Sequence, residues 1–189
     1  MSPNVLELLR HGHRTMGNVL SLIRMQTEML QGPDDLQGIM LLNNAIEYMQ
    51  WYPSVAHHPA EEVLYSKMIK TNPNAQALCI DLEDQHQWFR DCHTALLRLI
   101  RETQAGDMSA CESLVQQLQA YCTRHFDHVS LEEARAYPLA NDLLTNSDWE
   151  AALVSYEIHA DPLFDADLLQ RYDSIYDYLM ESRLKPIRH

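Results

Sequence analysis

The chain has little glycine, little positive charge and no long apolar run. Five Gly in 189 residues, against nine Met, leave few places for turns and favour helix. No stretch approaches the roughly 18 consecutive apolar residues of a membrane span, so a transmembrane helix is not expected. Lys and Arg number 14 against 27 Asp and Glu. The resulting formal charge of −13 opposes nucleic acid and anionic membrane surfaces as partners. The four cysteines, Cys79, Cys92, Cys111 and Cys122, include no CxxC pair, and all fall in segments that read as helix. Buried, reduced thiols in a cytoplasmic protein are therefore expected. Met1-Ser2-Pro3-Asn4 opens into an amphipathic helix rather than a basic and then apolar leader, so no signal peptide is expected. Glycine-rich phosphate loops and hydrolase nucleophile signatures are missing too, which leaves nucleotide chemistry and acyl transfer without support.

What is present is helix-forming and unusually rich in histidine. An apolar fraction of 46% over 189 residues predicts one domain, residues 1–189, with a real core. Four long helical segments read out at about residues 3–30, 35–70, 75–103 and 109–141. They stop at Gln31-Gly32-Pro33, at Thr71-Asn72-Pro73-Asn74 and at Ala105-Gly106-Asp107. A capping box, Ser109 with Glu112, opens the fourth. Short connections between long amphipathic helices predict an all-α fold, an antiparallel up-down-up-down four-helix bundle over about residues 3–141. Two additional C-terminal helices form an extension over about residues 145–185. One runs from the Ser147-Asp148-Trp149-Glu150 capping box to about 159, and one spans 167–184 with Tyr172, Ile175, Tyr176 and Leu179 on one side.

One pattern occurs twice: His57-His58-Pro59-Ala60-Glu61-Glu62 and His128-Val129-Ser130-Leu131-Glu132-Glu133. Each places a His four residues before a Glu, so on a helix both side chains point the same way. Helical phasing puts His57, Glu61, His128 and Glu132 on or beside the apolar stripes, with His13 at the edge of the first helix's stripe and His86 and His93 within the third. His58, Glu62 and His11 point outward in an undistorted helix, and the second Glu of each pair, Glu62 and Glu133, is expected on a solvated face. Pro53 and Pro59 each remove a backbone hydrogen bond there, so a kink can shift this phase. Any one buried histidine is ordinarily satisfied by hydrogen bonds. Two buried carboxylates at the same offset from a His are harder to explain without a cation.

These residues resemble the hemerythrin-like family that carries the HHE cation-binding domain. The resemblance rests on His13-Arg14-Thr15-Met16, on Tyr52-Pro53 leading into the His57 motif, on His86, and on the His128 motif followed by Tyr137-Pro138-Leu139-Ala140. Ser147-Asp148-Trp149 and Asp161-Pro162-Leu163-Phe164 resemble the C-terminal extension of bacterial members. The resemblance implies two non-haem iron (Fe) ions inside the bundle. His13, His57, His86 and His128 would be terminal ligands, and Glu61, Glu132 and an oxo or hydroxo group would form the bridges. It implies as ligand a small diatomic molecule, oxygen or nitric oxide, or a peroxide, with a reductase or other protein partner left unidentified. Arg90 stands where oxygen-carrying members place a second His on the third helix, and the four-His set resembles the di-iron proteins of nitric oxide handling and iron-sulfur repair. That set favours reaction over reversible carriage, with His125 and His93 as candidates for a fifth nitrogen. Tyr52 and Tyr137 read as packing aromatics, with donation to the site as the alternative.

Two other classes compete. A ferritin-like carboxylate enzyme needs Glu-x-x-His on two helices, and only Glu83-Asp84-Gln85-His86 supplies it. A metal-sensing or protein-interaction bundle without redox chemistry would use the acidic surface and C-terminal helices instead.

Overall fold

The computed structural model describes residues 5–157 and residue 175, and the described residues contain helices and turns but no strand. The helices are α1 (Val5–Met29), α2 (Leu36–Tyr52), α3 (His58–Thr71), α4 (Gln76–Gln104), α5 (Met108–Leu131), α6 (Tyr137–Leu143) and α7 (Asn146–Glu157). A five-residue π-turn, Pro53–His57, joins α2 to α3, and a second, Glu132–Ala136, joins α5 to α6. The chain is a helical bundle. Helix α1 packs on α2 and α5, and α4 packs on α2, α3 and α5.

The expected boundaries hold to within a few residues, but two capping expectations do not. Helix α5 is capped by Asp107, whose carboxylate accepts from the Ala110 N–H at 3.1 Å, rather than by Ser109 with Glu112. The box opening α7 is Thr145 with Asp148: the Thr145 N–H and hydroxyl both donate to Asp148 Oδ2, at 3.1 and 2.7 Å. Ser147 and Glu150 lie two residues too far along. Gly106 ends α4 with φ +93, a left-handed conformation that a Cβ would disfavour. There the Gly106 N–H donates to Thr103 O and the Asp107 N–H to Glu102 O, which satisfies the last carbonyls of the helix.

The second and fourth segments were expected to be single helices, and each is instead widened by one π-turn. The His58 N–H donates to Pro53 O and the Tyr137 N–H to Glu132 O, both five residues back. A proline follows each of these bonds by one residue, Pro59 and Pro138. Proline has no N–H to give and its ring collides with the carbonyl four residues back. A wider turn relieves that collision without breaking the helix, and such turns recur at functional sites.

Two apolar cores lie on either side of a polar layer. One contains Met16, Ile23, Ile46, Met49, Phe89, Leu96, Leu118 and Tyr121, the other Leu9, Leu64, Met68, Leu82, Ala136 and Ala140. Each fully buried Leu, Ile or Met contributes about 1.5–3 kcal/mol. Helix α7 covers the second core by packing on α3. The helix expected over 167–184 lies outside the described residues except for Ile175, which is helical and buried in the first core.

Candidate metal centre

The polar layer contains His13 from α1, His57 from the first π-turn, His58 and Glu61 from α3, His86 from α4, His128 from α5 and Glu132 from the second π-turn. All seven are buried, Glu61, His86 and Glu132 completely. Groups of their nitrogens and oxygens converge within 4.8 Å: His58, His86 and His128; His13, His57 and Glu61; Glu61, His86 and Glu132. All six residues singled out from the sequence are brought together.

His58 is the seventh, and here the undistorted-helix phase fails. It was expected to point outward, yet it is 4% exposed and stacks on His86 with ring centroids 3.7 Å apart. The π-turn adds a residue to the circuit before it, so two successive histidines both reach the interior. Glu62 is exposed as expected. Neither His125 nor His93 joins the converging groups among the described residues. His125 stacks on Phe89 at 4.2 Å, and His93 Nε2 lies 2.9 Å from the Tyr121 hydroxyl. The fifth imidazole is therefore His58.

The carboxylates sit between two groups of imidazoles. Glu61 Oε1 lies 3.2 Å from His57 Nε2 and 3.7 Å from His13 Nε2, while its Oε2 lies 3.5 Å from His86 Nε2. Glu132 is disposed the opposite way: Oε1 is 3.1 Å from His128 Nε2 and 3.5 Å from His86 Nε2, and Oε2 is 3.1 Å from His13 Nε2. His86 Nε2 and His128 Nε2 face each other at 3.1 Å. Glu61 Oε2, Glu132 Oε2 and His57 Nε2 are buried with no hydrogen bond of their own. All three lie at ion-pair distance from a neighbour without forming a hydrogen bond: Glu61 Oε2 to His86, Glu132 Oε2 to His13 and His57 Nε2 to Glu61. Unsatisfied buried carboxylate oxygens and imidazole lone pairs aimed at one another are costly in a protein and are what a cation would satisfy. The donor set fits a metal.

An outer ring holds these ligand candidates in place. Glu133 Oε1 lies 3.0 Å from His13 Nδ1, and its other oxygen accepts from Arg10 Nε at 3.0 Å. Gln85 Oε1 lies 3.1 Å from His128 Nδ1. An acceptor at Nδ1 keeps the proton there and leaves Nε2 free to face inward. Glu133, expected on a solvated face, is thus half-buried and engaged. Gly12 makes room for the adjoining ring: a Cβ there would meet His57 Nδ1 and the Tyr52 hydroxyl at 2.7 Å.

Two tyrosines cross between the repeats. The Tyr65 hydroxyl, on α3, donates to Glu132 Oε1 at 2.6 Å, and the Tyr137 hydroxyl, on α6, donates to Glu61 Oε1 at 2.6 Å. Tyr65 is four residues beyond Glu61 and Tyr137 is five beyond Glu132. The second π-turn absorbs the extra residue and equalises their reach. Sequence reading missed Tyr65, although this near-repeat was its signal. Tyr52 instead pairs with the Tyr156 hydroxyl at 2.8 Å.

Burial and charge act against each other here. Burial and the nearby Glu132 push the Glu61 carboxyl up, but the close imidazoles of His57 and His13 bring it down to about 2. For Glu132, burial is likewise outweighed by the imidazoles of His128, His13 and His86 close around it, which leave it well below the carboxylate range. Burial lowers His13, yet the surrounding carboxylates of Glu132, Glu133 and Glu61 raise it well above the ordinary value. His58 has burial and the neighbouring His86 against its charge, and falls well below. The layer holds two anionic carboxylates with imidazoles of both kinds, His57 and His58 held neutral and His13 and His86 favouring their cations, and a bound metal would take the place of those protons.

The comparisons agree with that chemistry. No curated protein matches the chain. Its residues 4–140 match the Hemerythrin HHE cation binding domain, a span that begins just before α1, ends within α6 and contains every residue of the polar layer. By that match, over most of its length, the chain belongs to the hemerythrin HHE family.

Proposed function

We propose that the polar layer holds two non-haem iron ions and that the protein binds or reacts with a small oxidant, whether oxygen, nitric oxide or peroxide. The observation that carries this reading is the sharing of both carboxylates. One half of the layer offers His58, His86 and His128 with Glu132 Oε1 and Glu61 Oε2. The other offers His13 and His57 with Glu61 Oε1 and Glu132 Oε2. Each carboxylate turns one oxygen to each half, which suits a bridge between two cations. Seven side chains exceed what one four-coordinate zinc uses, and mixed imidazole and carboxylate donors suit iron. Iron bound there supplies one-electron redox chemistry and coordination positions open to a small ligand.

The rest is work for the chain. Glu133 and Gln85 orient His13 and His128, Tyr65 and Tyr137 hold the carboxylates, and the apolar cores on either side exclude bulk water. The proposed architecture is an antiparallel up-down-up-down four-helix bundle within a single domain. In support, α1 and α4 run from the core of Leu9 and Leu82 toward that of Ile23 and Leu96, whereas α2–α3 and α5–α6 run the opposite way. Four free thiols fit the proposed cytoplasmic setting, and reaction with an oxidant calls for an electron-donating partner such as a reductase. Arg90 bonds Gln87 Oε1 at 2.9 Å near the surface and leaves the third-helix position without a ligand. His58 nevertheless restores a five-imidazole set, so the number of histidines no longer separates reaction from carriage.

Elemental analysis of protein expressed with ample iron is the test. About two irons per chain are expected from this donor count. Folded protein with less than about half an equivalent of any transition metal would end the proposal. Mixing the reduced protein with oxygen and then evacuating it separates the two behaviours: a reduced spectrum that returns marks carriage, and one that needs added reductant marks reaction.

A further inference from the structure

We infer that Tyr137, rather than its counterpart Tyr65, donates a hydrogen bond to the small ligand the centre takes up, and that this ligand is an anion or becomes one on binding. The inference rests on the iron reading above. The two phenols are near-equivalent in placement, each buried to 1% exposure and each 2.6 Å from the carboxylate of the other repeat. They differ in which half of the layer they face. Tyr65 meets Glu132 Oε1, which lies with His86 and His128 in the half that has three imidazoles. Tyr137 meets Glu61 Oε1 and, at 3.1 Å, His13 Nε2, in the half that has two. With both carboxylates shared, that second half has one protein donor fewer, and a ligand from outside has its place there.

A metal held by His13 Nε2 uses the single lone pair that Tyr137 now faces. The phenol then keeps Glu61 Oε1 or turns its hydrogen to a new acceptor beside the same two atoms. A hydroxyl turns about its C–O bond at little cost, and no bulk water reaches this one to compete.

The surface relief points to the same half. His13 lies against an open groove of about 400 Å³ between α1 and α5, lined also by Arg10, Arg14, Gly17, Leu20 and Phe126. With Arg10 paired to Glu133, Arg14 leaves the groove with an excess of positive charge, a local approach for anions that the overall charge of −13 opposes. Glu133, bonded to both Arg10 and His13, stands on its rim.

Azide is a suitable probe, bound to the iron-loaded oxidised protein and to its Tyr137→Phe and Tyr65→Phe variants. The azide stretching band of the parent protein is expected to shift between H₂O and D₂O. Tyr137→Phe should abolish that shift and weaken azide binding about tenfold more than Tyr65→Phe, the loss expected for a hydrogen bond to a charged acceptor. Tyr65→Phe should keep the shift, whatever it does to affinity. Two variants that behave alike, or a shift lost only in Tyr65→Phe, would overturn the inference. Should Tyr137→Phe fail to load iron, the parent band decides alone: no isotope shift overturns it. Absence of iron from the parent protein would remove the iron reading and this inference together, whereas iron with indistinguishable variants removes only this one.

Discussion

The two His-x-x-x-Glu repeats have the same spacing and different surroundings. In the first, the π-turn precedes the pair, and it brings His57 and His58 both inside while Glu62 stays in solvent. In the second, the π-turn begins at the glutamate itself, so Val129, the residue after His128, is only half-buried and Glu133 is drawn against His13. The first repeat therefore adds a fifth imidazole, and the second adds an outer carboxylate. A five-residue turn placed on one side or the other of the same motif changes which neighbour is drawn to the polar layer.

The most severe way to break the comparison is to remove the element common to both repeats. Glu61→Ala or Glu132→Ala should cost at least one iron per chain by elemental analysis, because each carboxylate faces both groups of imidazoles. Retention of both metals in either variant would remove the sharing on which the proposed centre depends.

A sharper test separates neighbours within the first repeat. His58→Ala should weaken metal binding by at least about tenfold in a chelator competition, a loss at the lower end of that for an outer-shell partner. Glu62→Ala, on the exposed face, should not weaken it. The opposite ranking would mean that the π-turn does not carry His58 inward. On the second repeat, Glu133→Gln should cost up to about tenfold, since a neutral amide supports the His13 tautomer less well.

Gly12→Ala probes the packing beside the first repeat. Its Cβ would lie 2.7 Å from His57 Nδ1, so destabilisation of about 1–3 kcal/mol in urea unfolding is expected, together with weaker metal binding. A neutral result would show that the His57 ring gives way freely.

The smallest expected effect lies beyond the polar layer. Burial lowers the His93 imidazole from its ordinary 6.5 to about 4. The unfolded chain therefore takes up this proton first, and the stability His93 contributes above about pH 6.5 is lost as pH falls toward 4. His13, raised well above its ordinary value, acts in the other direction, stabilising below about 6.5 and losing that contribution as pH rises through its folded value. His93→Leu should reduce the fall in stability of the metal-free protein from pH 6.5 to 4 by at most about one proton's worth of slope. An unchanged slope would place the titration elsewhere.

Much of this was legible before folding was considered. Helical periodicity puts Leu9, Met16, Leu42, Met49, Leu82, Phe89, Leu114 and Leu118 on the apolar stripes of the four segments, and all are buried, whereas Leu78, Val129 and Leu139 on the same stripes are only half-buried. The i, i+4 spacing paired His57 with Glu61 and His128 with Glu132, because a helix puts such residues one above the other. His58, Glu133 and Tyr65 escaped. Each depends on the phase of a helix after a π-turn or on contact with a distant helix, and neither is written in local spacing. Pro59 marked a disturbance in that phase but not its sense.

The sequence by itself determined long amphipathic helical segments and an interior that contains two carboxylates, each paired with a histidine. Helical periodicity is local, and the burial of apolar side chains enforces it. Only the tertiary structure decided how the donors divide into three imidazoles on one side and two on the other. It also decided which carboxylate oxygen faces which side, and that Tyr65 and Tyr137 cross to the opposite repeat. Those choices turn on one residue of helical phase, about 100° of rotation, and on where α1, α3, α4 and α5 approach one another across the layer.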